Sequence, residues 1–288
     1  MEFSHAFSQD LSTIITALEG KHPFALNRFA DGERMIIEGT KINIRKSHDE
    51  WDSGPTCELR QPLMDALLYT EIGYHIGFSC PCCSASDREF YKHKVNLPES
   101  RLTYSNVFVN ANYDRWSQWY VNKPCVLVSS SSYSPDHLRV PKNAVQWDGI
   151  DGIVNALLAD QDTAPIFVAA GPAAKVIVHR YWMRSRRDRS IVDVGSSLDP
   201  LIHRAQTRGY HMPGHPNRSK VCQWSTAESP APVWQAASAA TTLAPKNLNP
   251  AADIQRELAA KYGPRIAALM SEMTADALQL AGVDLSQE

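Results

Sequence analysis

Two carboxylates, Asp31 and Glu33, stand one residue apart in Asn27-Arg28-Phe29-Ala30-Asp31-Gly32-Glu33, directly after a short apolar run. Pro23 to Phe29 reads as a strand and Glu33 to Glu38 as the start of a helix, so the acids fall on a strand-to-helix turn. In open α/β sheets the carboxyl ends of strands are where ligands bind. Two hard oxygen donors suit a divalent cation, and Arg28 adds a fixed charge for a phosphorylated ligand. Gly32 between the acids supplies backbone angles that other residues resist. The same string also describes an ordinary turn with solvated acids, one of them paired with Arg28.

Further chemistry-bearing groups recur at other predicted strand ends. Gly171-Pro172 follows the apolar run Pro165 to Ala170 and opens a helix. A helix N-terminus favours an anion, and Lys175, one turn in, reaches a phosphate or stays solvated. Asp193 and Asp199 flank Gly195-Ser196-Ser197. An acid there can serve as general base for a hydroxyl, or cap a helix starting near Leu198. Asn106, Asn110 and Asn112 bracket a run that alternates like a strand, and their amides can read hydroxyl edges or close turns. Trp116, Trp119, Tyr113 and Trp147 are either core or stacking platforms. One basic stretch, His179 to Arg189, reads first as a solvated helix end and second as a phosphate contact.

Cys80-Pro81-Cys82-Cys83 raises zinc, but only Cys80 and Cys83 have the usual C-x2-C spacing. Cys57, His93 and Cys222, the candidates to complete a tetrahedron, have no motif of their own. The preferred expectation is a buried turn of free thiols, with a turn lining the active site as the middle reading.

These groups need elements to hold them. Ser8 to Leu18 predicts a helix with Ser8 or Ser12 as cap. Residues 40 to 56 predict a polar loop over the presumed site. Strands are expected at 73–79, 106–110, 125–128, 165–170 and 191–194, with another at 145–147. Helices are expected at 58–70, 86–95, 113–121, 150–158 and from Pro172. Strands alternating with helices at this spacing predict a parallel sheet with helices on both faces. The domain so defined spans residues 1–212. A Pro-, Ala- and Ser-rich connection follows over 213–250, then a helical extension over 251–288 with an apolar face for the domain or for a homodimer contact.

The string around Asp31 resembles the R-[FY]-G-D-G-E signature of the GT-D glycosyltransferases. The strand-G-P-helix segment at 168–175 and the D-x-G-S strand end at 193–196 are similar to later segments of that family, in the same order. Ala30 stands where the family usually has Gly. The resemblance implies a Rossmann-like fold and a nucleotide-sugar donor. It also implies Mg²⁺ or Mn²⁺ on Asp31 and Glu33, neutralising the departing diphosphate. With Arg28, Gly32, Gly171, Pro172, Lys175, Gly195, Ser196 and the three asparagines as substrate contacts, the expected activity is sugar transfer to a hydroxyl. The acceptor is a glycan or glycosylated peptide, as the resemblance implies, or a hydroxymethylated DNA base, for which the basic-aromatic stretch speaks. A non-catalytic nucleotide- or sugar-binding module is the alternative.

Composition narrows the classes. The chain has 288 residues, 43% hydrophobic, enough for a sizeable core. A net charge of −2 predicts no global attraction to nucleic acid or anionic membrane. No run approaches the ~20 apolar residues of a membrane span, and Met-Glu-Phe-Ser-His is no leader, so a cytosolic protein is expected.

Overall fold

The computed structural model describes residues 1–45, 50–130, 137–141, 144, 145 and 147–225. The predicted helical extension, its dimer contact and most of the predicted connection lie outside the described residues.

Among the described residues nine strands are formed: β1 (Ala25–Phe29), β2 (Ile42–Arg45), β3 (Glu50–Ser53), β4 (Tyr74–Phe78), β5 (Leu102–Tyr104), β6 (Val126–Ser129), β7 (His137–Arg139), β8 (Ile166–Ala169) and β9 (Ile191–Asp193). The helices are α1 (Phe7–Glu19), α2 (Asp31–Glu38), α3 (Arg60–Leu68), α4 (Ala85–Lys92), α5 (Tyr113–Tyr120), α6 (Ile150–Ala159), α7 (Pro172–Arg184), α8 (Asp199–Ile202) and α9 (Pro216–Ser219). Seven strands make one parallel sheet in the order β5-β4-β1-β9-β8-β6-β7, while β2 and β3 form a separate antiparallel hairpin. This is the expected α/β architecture, a parallel sheet between helical layers. Among the described residues no helix is long and apolar enough to cross a membrane.

Side-chain alternation along the central strands divides the core. Ala25, Phe29, Ile166, Val168 and Ile191 face the layer built by α3, α6 and α7. Leu26, Phe167 and Val192 face α1 and α5 on the other side. Both faces are covered, which is why these strands read as continuous apolar runs rather than alternating ones. The same period of two decides where the polar residues point. Arg28 shares its face with Leu26, and Asn27 and Asp193 share theirs with α7.

Some expectations fail locally. Asn106 to Asn110 is not a strand: Val107 N–H bonds Tyr104 O at 3.1 Å and Val109 N–H bonds Asn106 O at 3.0 Å, which are turn bonds. Val107, Phe108 and Val109 are all buried together instead of alternating, and β5 lies just upstream. Val145 sits in a turn, and the edge strand β7 forms at His137–Arg139 instead. Neither Ser8 nor Ser12 caps α1. Asp10 reaches back to accept the amides of Ser4 and His5 at 3.0 and 3.1 Å. The polar loop at 40–56 contains the β2–β3 hairpin.

Candidate functional site

A cleft of about 340 Å³ opens where β1, β9 and β8 end at their carboxyl side. Each of the three strands delivers one part of it. The turn after β1 brings Ala30, Asp31 and Glu33; the turn after β8 brings Gly171, Pro172 and Lys175; the turn after β9 brings Gly195, Ser196 and Asp199. Arg28 and Asn106 also line it.

The acid turn is built with care. Ala30 is extended, at φ −136° and ψ −162°, a conformation any residue adopts, so Ala in place of the family's Gly is unstrained. Its N–H donates to Glu33 Oε2 at 2.9 Å, closing the first turn of α2. Its carbonyl accepts the Tyr91 hydroxyl at 2.5 Å. Burial, then the nearby acids, push that phenol well above its usual range, so it stays a donor. Gly32 lies inside α2, not at a left-handed turn, which corrects the expectation for it. It is needed for space, since a Cβ there would meet the Trp51 ring at 2.0 Å. Trp51, from β3, also lies over Gly171, 3.2 Å from where a Cβ would stand. The hairpin thus lays one indole across two strand-end turns and forms a wall of the cleft.

The two acids are not equivalent. Asp31 is exposed to the cleft and makes no hydrogen bond or ion pair among the described residues. Glu33 is buried, with Oε1 2.8 Å from Lys175 Nζ. That ammonium also sits 2.9 Å from Asp193 Oδ2 and donates to Gly171 O at 3.3 Å. An ammonium has three N–H donors, and all three are committed. Lys175 is therefore a buried counter-ion between two strand ends, and the expected phosphate contact is not available to it. Burial works against its charge, but Asp193 and Glu33 outweigh burial and raise its pKa above the usual lysine value.

Asp193 lies beneath the cleft, fully buried. Its Oδ1 accepts Gly195 N–H at 3.0 Å and lies 3.6 Å from an Arg28 guanidinium nitrogen. Its carbonyl accepts Arg28 Nε–H at 2.6 Å, while Ser105 O accepts from Arg28 Nη1 at 2.7 Å. The guanidinium rests over the Phe108 ring at 5.3 Å. Asp193 thus aims Lys175 and Arg28 and is itself out of substrate's reach. Gly195 has φ +49°, and a Cβ there would stand 2.2 Å from Arg28 Nη2. Asp199 does line the cleft, with Thr207 Oγ1 donating to it and His203 Nε2 3.9 Å away.

Of the predicted contacts, Gly32, Asn110, Asn112 and Asp193 do not line the cleft. Asn112 donates to Phe7 O and Val107 O at 2.9 and 2.8 Å, holding the chain around α1. Asn110 turns to Cys222 Sγ at 3.4 Å, and Asn106, though on the cleft wall, donates to Cys83 Sγ at 3.2 Å. Trp116 is fully buried and donates to Ser197 Oγ at 3.0 Å, so it is core. Sequence reasoning missed His203, Arg208 and Tyr210, which face the cleft from the segment after β9. Tyr210 is fixed by its hydroxyl, 2.5 Å from Ser196 Oγ. Their signal was position alone, since a polar, aromatic segment after the last strand end is where ligand contacts gather.

No family model and no curated protein matches the sequence. Among solved structures the chain is similar to one described by the statement that "the highly conserved domain of unknown function 1792 has a distinct glycosyltransferase fold". That likeness is at 16% identity and TM-score 0.48, over 75% of this chain and 90% of that one. It is also similar to a structure described as a new glycosyltransferase of the same domain type from Streptococcus sanguinis. There the identity is 15% and the TM-score 0.48, over 78% of this chain and 95% of that one.

Proposed function

We propose that the chain is a glycosyltransferase that moves a sugar from a nucleotide-diphosphate donor to a hydroxyl of a glycan or glycosylated peptide. The observation that carries this reading is the convergence, in one cleft, of an exposed acid, Asp31, a helix N-terminus and a second acid, Asp199, with polar neighbours. The N-terminus of α7 at Gly171-Pro172 and the guanidinium of Arg28 suit the donor's diphosphate. Trp51 offers a flat apolar face for its base or sugar. Asp199, on the cleft lining, would take the acceptor's proton as the acceptor oxygen bonds the anomeric carbon and the bond to the diphosphate breaks.

The divalent cation implied by the resemblance fits Asp31, whose carboxylate is available. It fits Glu33 less well, because Lys175 already holds Oε1. Mg²⁺ or Mn²⁺ held by Asp31, with Glu33 behind it, would supply charge to offset the leaving diphosphate. The chain's own contribution is to keep Glu33 and Asp193 paired with Lys175 and Arg28 beneath it.

A hydroxymethylated base in DNA is the weaker acceptor. The basic stretch lies at the far end of α7, 13 residues and about 20 Å from Gly171 at 1.5 Å per residue. Most of it is also engaged: Arg180 and Arg184 pair with Asp151 at 2.9 and 3.3 Å, and Arg189 is buried against Asp160 at 3.0 Å. The test is release of nucleotide from pooled nucleotide sugars, with and without chelator, followed by mass analysis of products with candidate acceptors. Metal-dependent release that Asp31→Asn abolishes is expected. Full turnover in excess chelator would remove the metal from the reading. Donor binding without any turnover would return the chain to a binding module.

A further inference from the structure

Three cysteines of one turn and a fourth from a distant segment are brought together on one side of the cleft. Cys80, Cys82 and Cys83 occupy the turn at the end of β4, and Cys222 follows α9, 139 residues beyond Cys83. Their sulfurs all lie within 4.8 Å of one another. Cys80 and Cys82 are 3.2 Å apart and Cys83 and Cys222 3.9 Å apart. A Zn–S bond of about 2.3 Å sets tetrahedral sulfurs about 3.8 Å apart, which this cluster brackets. A disulfide needs about 2.05 Å, and all four thiols are free.

Packing alone does not account for the cluster. Cys82 and Cys83 are exposed, so burial of small apolar groups is not what holds them there. The surroundings supply donors instead. Asn106 and Asn110 each point a side-chain amide at a sulfur, at 3.2 and 3.4 Å. Asn110 adopts φ +56° in doing so. The Lys220 ammonium is held over the turn by Cys82 O at 3.0 Å. Amide donors and a cation around thiolates are what a doubly negative tetrathiolate centre requires. Cys57 and His93 take no part in the cluster, and Cys222 supplies its fourth sulfur.

We infer that Cys80, Cys82, Cys83 and Cys222 hold one zinc ion in a closed structural site. Four protein ligands leave no open position for substrate, so the ion is not catalytic. Four thiols lose their protons to solvent as four Zn–S bonds form, leaving a centre of charge −2. The site staples the segment after α9 to the turn after β4. Otherwise that segment is held by contacts such as Ala111 N–H to Lys220 O at 3.1 Å and Trp224 beneath Arg88 at 3.8 Å. Through Asn106 and the adjacent Ser105, whose carbonyl holds Arg28, it also fixes one wall of the cleft. This inference does not depend on which reaction the cleft performs.

The test is elemental analysis of the untagged full chain purified without chelator. About one zinc per chain, little iron, and zinc release on titrating four thiols with a mercurial are expected. Cobalt reconstitution should give the visible spectrum of a tetrahedral thiolate site. Cys222→Ser should lose the metal, whereas Cys125→Ser, outside the cluster, should keep it. Wild-type stoichiometry decides the matter whether or not Cys222→Ser folds. Less than about a fifth of a zinc per chain from zinc-supplemented cells would overturn the inference, as would stoichiometric iron or a mass deficit showing disulfides.

Discussion

Replacing Lys175 with methionine removes the ammonium between Glu33 and Asp193, at 2.8 and 2.9 Å, in a place where all three side chains are buried. At an effective dielectric near 20, each contact represents about 6 kcal/mol of gross attraction. Much of that is offset by the cost of burying the ions. The measurable quantity is the penalty for leaving carboxylates without their cation, about 3–5 kcal/mol for one buried pair. Two acids lose one partner here, so the upper part of that range is expected, read as a lower urea midpoint at unchanged slope. The decisive variant is the double, Lys175→Met with Glu33→Gln. If the cost comes from orphaned charge, neutralising Glu33 recovers about 1–3 kcal/mol relative to Lys175→Met alone. A single-variant cost below about 1 kcal/mol refutes the account, as does a double variant less stable than Lys175→Met.

Other outcomes follow from the same geometry. Asp31→Asn should abolish donor turnover while moving stability by under about 0.5 kcal/mol, since Asp31 is exposed and has no partner among the described residues; a folded, fully active variant would show that Asp31 holds nothing essential. Gly195→Ala places a Cβ 2.2 Å from Arg28 Nη2 at φ +49°, so it should cost about 1–3 kcal/mol and raise the donor KM; wild-type kinetics in that variant would mean Arg28 does not touch the donor. Burial holds His75 down at about 3, so between that value and about 6.5 the unfolded chain binds more protons and stability falls as pH falls. The loss is about 2 kcal/mol by pH 5, and His75→Phe should flatten the slope of Tm against pH. Arg184→Ser with Arg186→Ser, far from the cleft, should leave sugar transfer within about twofold and any DNA affinity at background.

The elements legible in the sequence are those whose evidence is local. A β-branched run before Gly171-Pro172 can be little other than a buried strand entering a helix, and β8 and α7 form there. The acid turn was legible because the strand, the acids and the helix start are contiguous. What could not be read is what depends on registry across the sheet. Nothing near Lys175 says that its donors meet Glu33, Asp193 and Gly171 O. That follows only once β1 and β9 pair as neighbours, Ala25 opposite Ile191, and their alternation turns Asp193 toward α7. Val107 to Val109 misled because three consecutive apolar residues were all needed inward, packing around Trp116 and Phe7, and a strand cannot present them so.

The sequence reading failed most where the chain returns to the domain after its last strand. Residues beyond β9 carry no periodic pattern, so Arg208 and Tyr210 gave no signal of a site and Cys222 fell within the predicted connection. In the structure this segment supplies cleft residues and, with Cys222, the fourth sulfur of a cluster otherwise confined to one turn. The Asn106 and Asn110 amides, read as sugar contacts because of their spacing, face those sulfurs. Spacing within one turn singled out Cys80 and Cys83, and bringing Cys222 to them required knowing which distant segment lies against that turn. A metal site assembled from segments 139 residues apart has no linear motif, only a geometry. Stoichiometry decides it: one zinc per chain ties the segment after α9 to the sheet, and none leaves that segment held by contacts such as the Ala111 to Lys220 backbone bond and the Arg88–Trp224 stack.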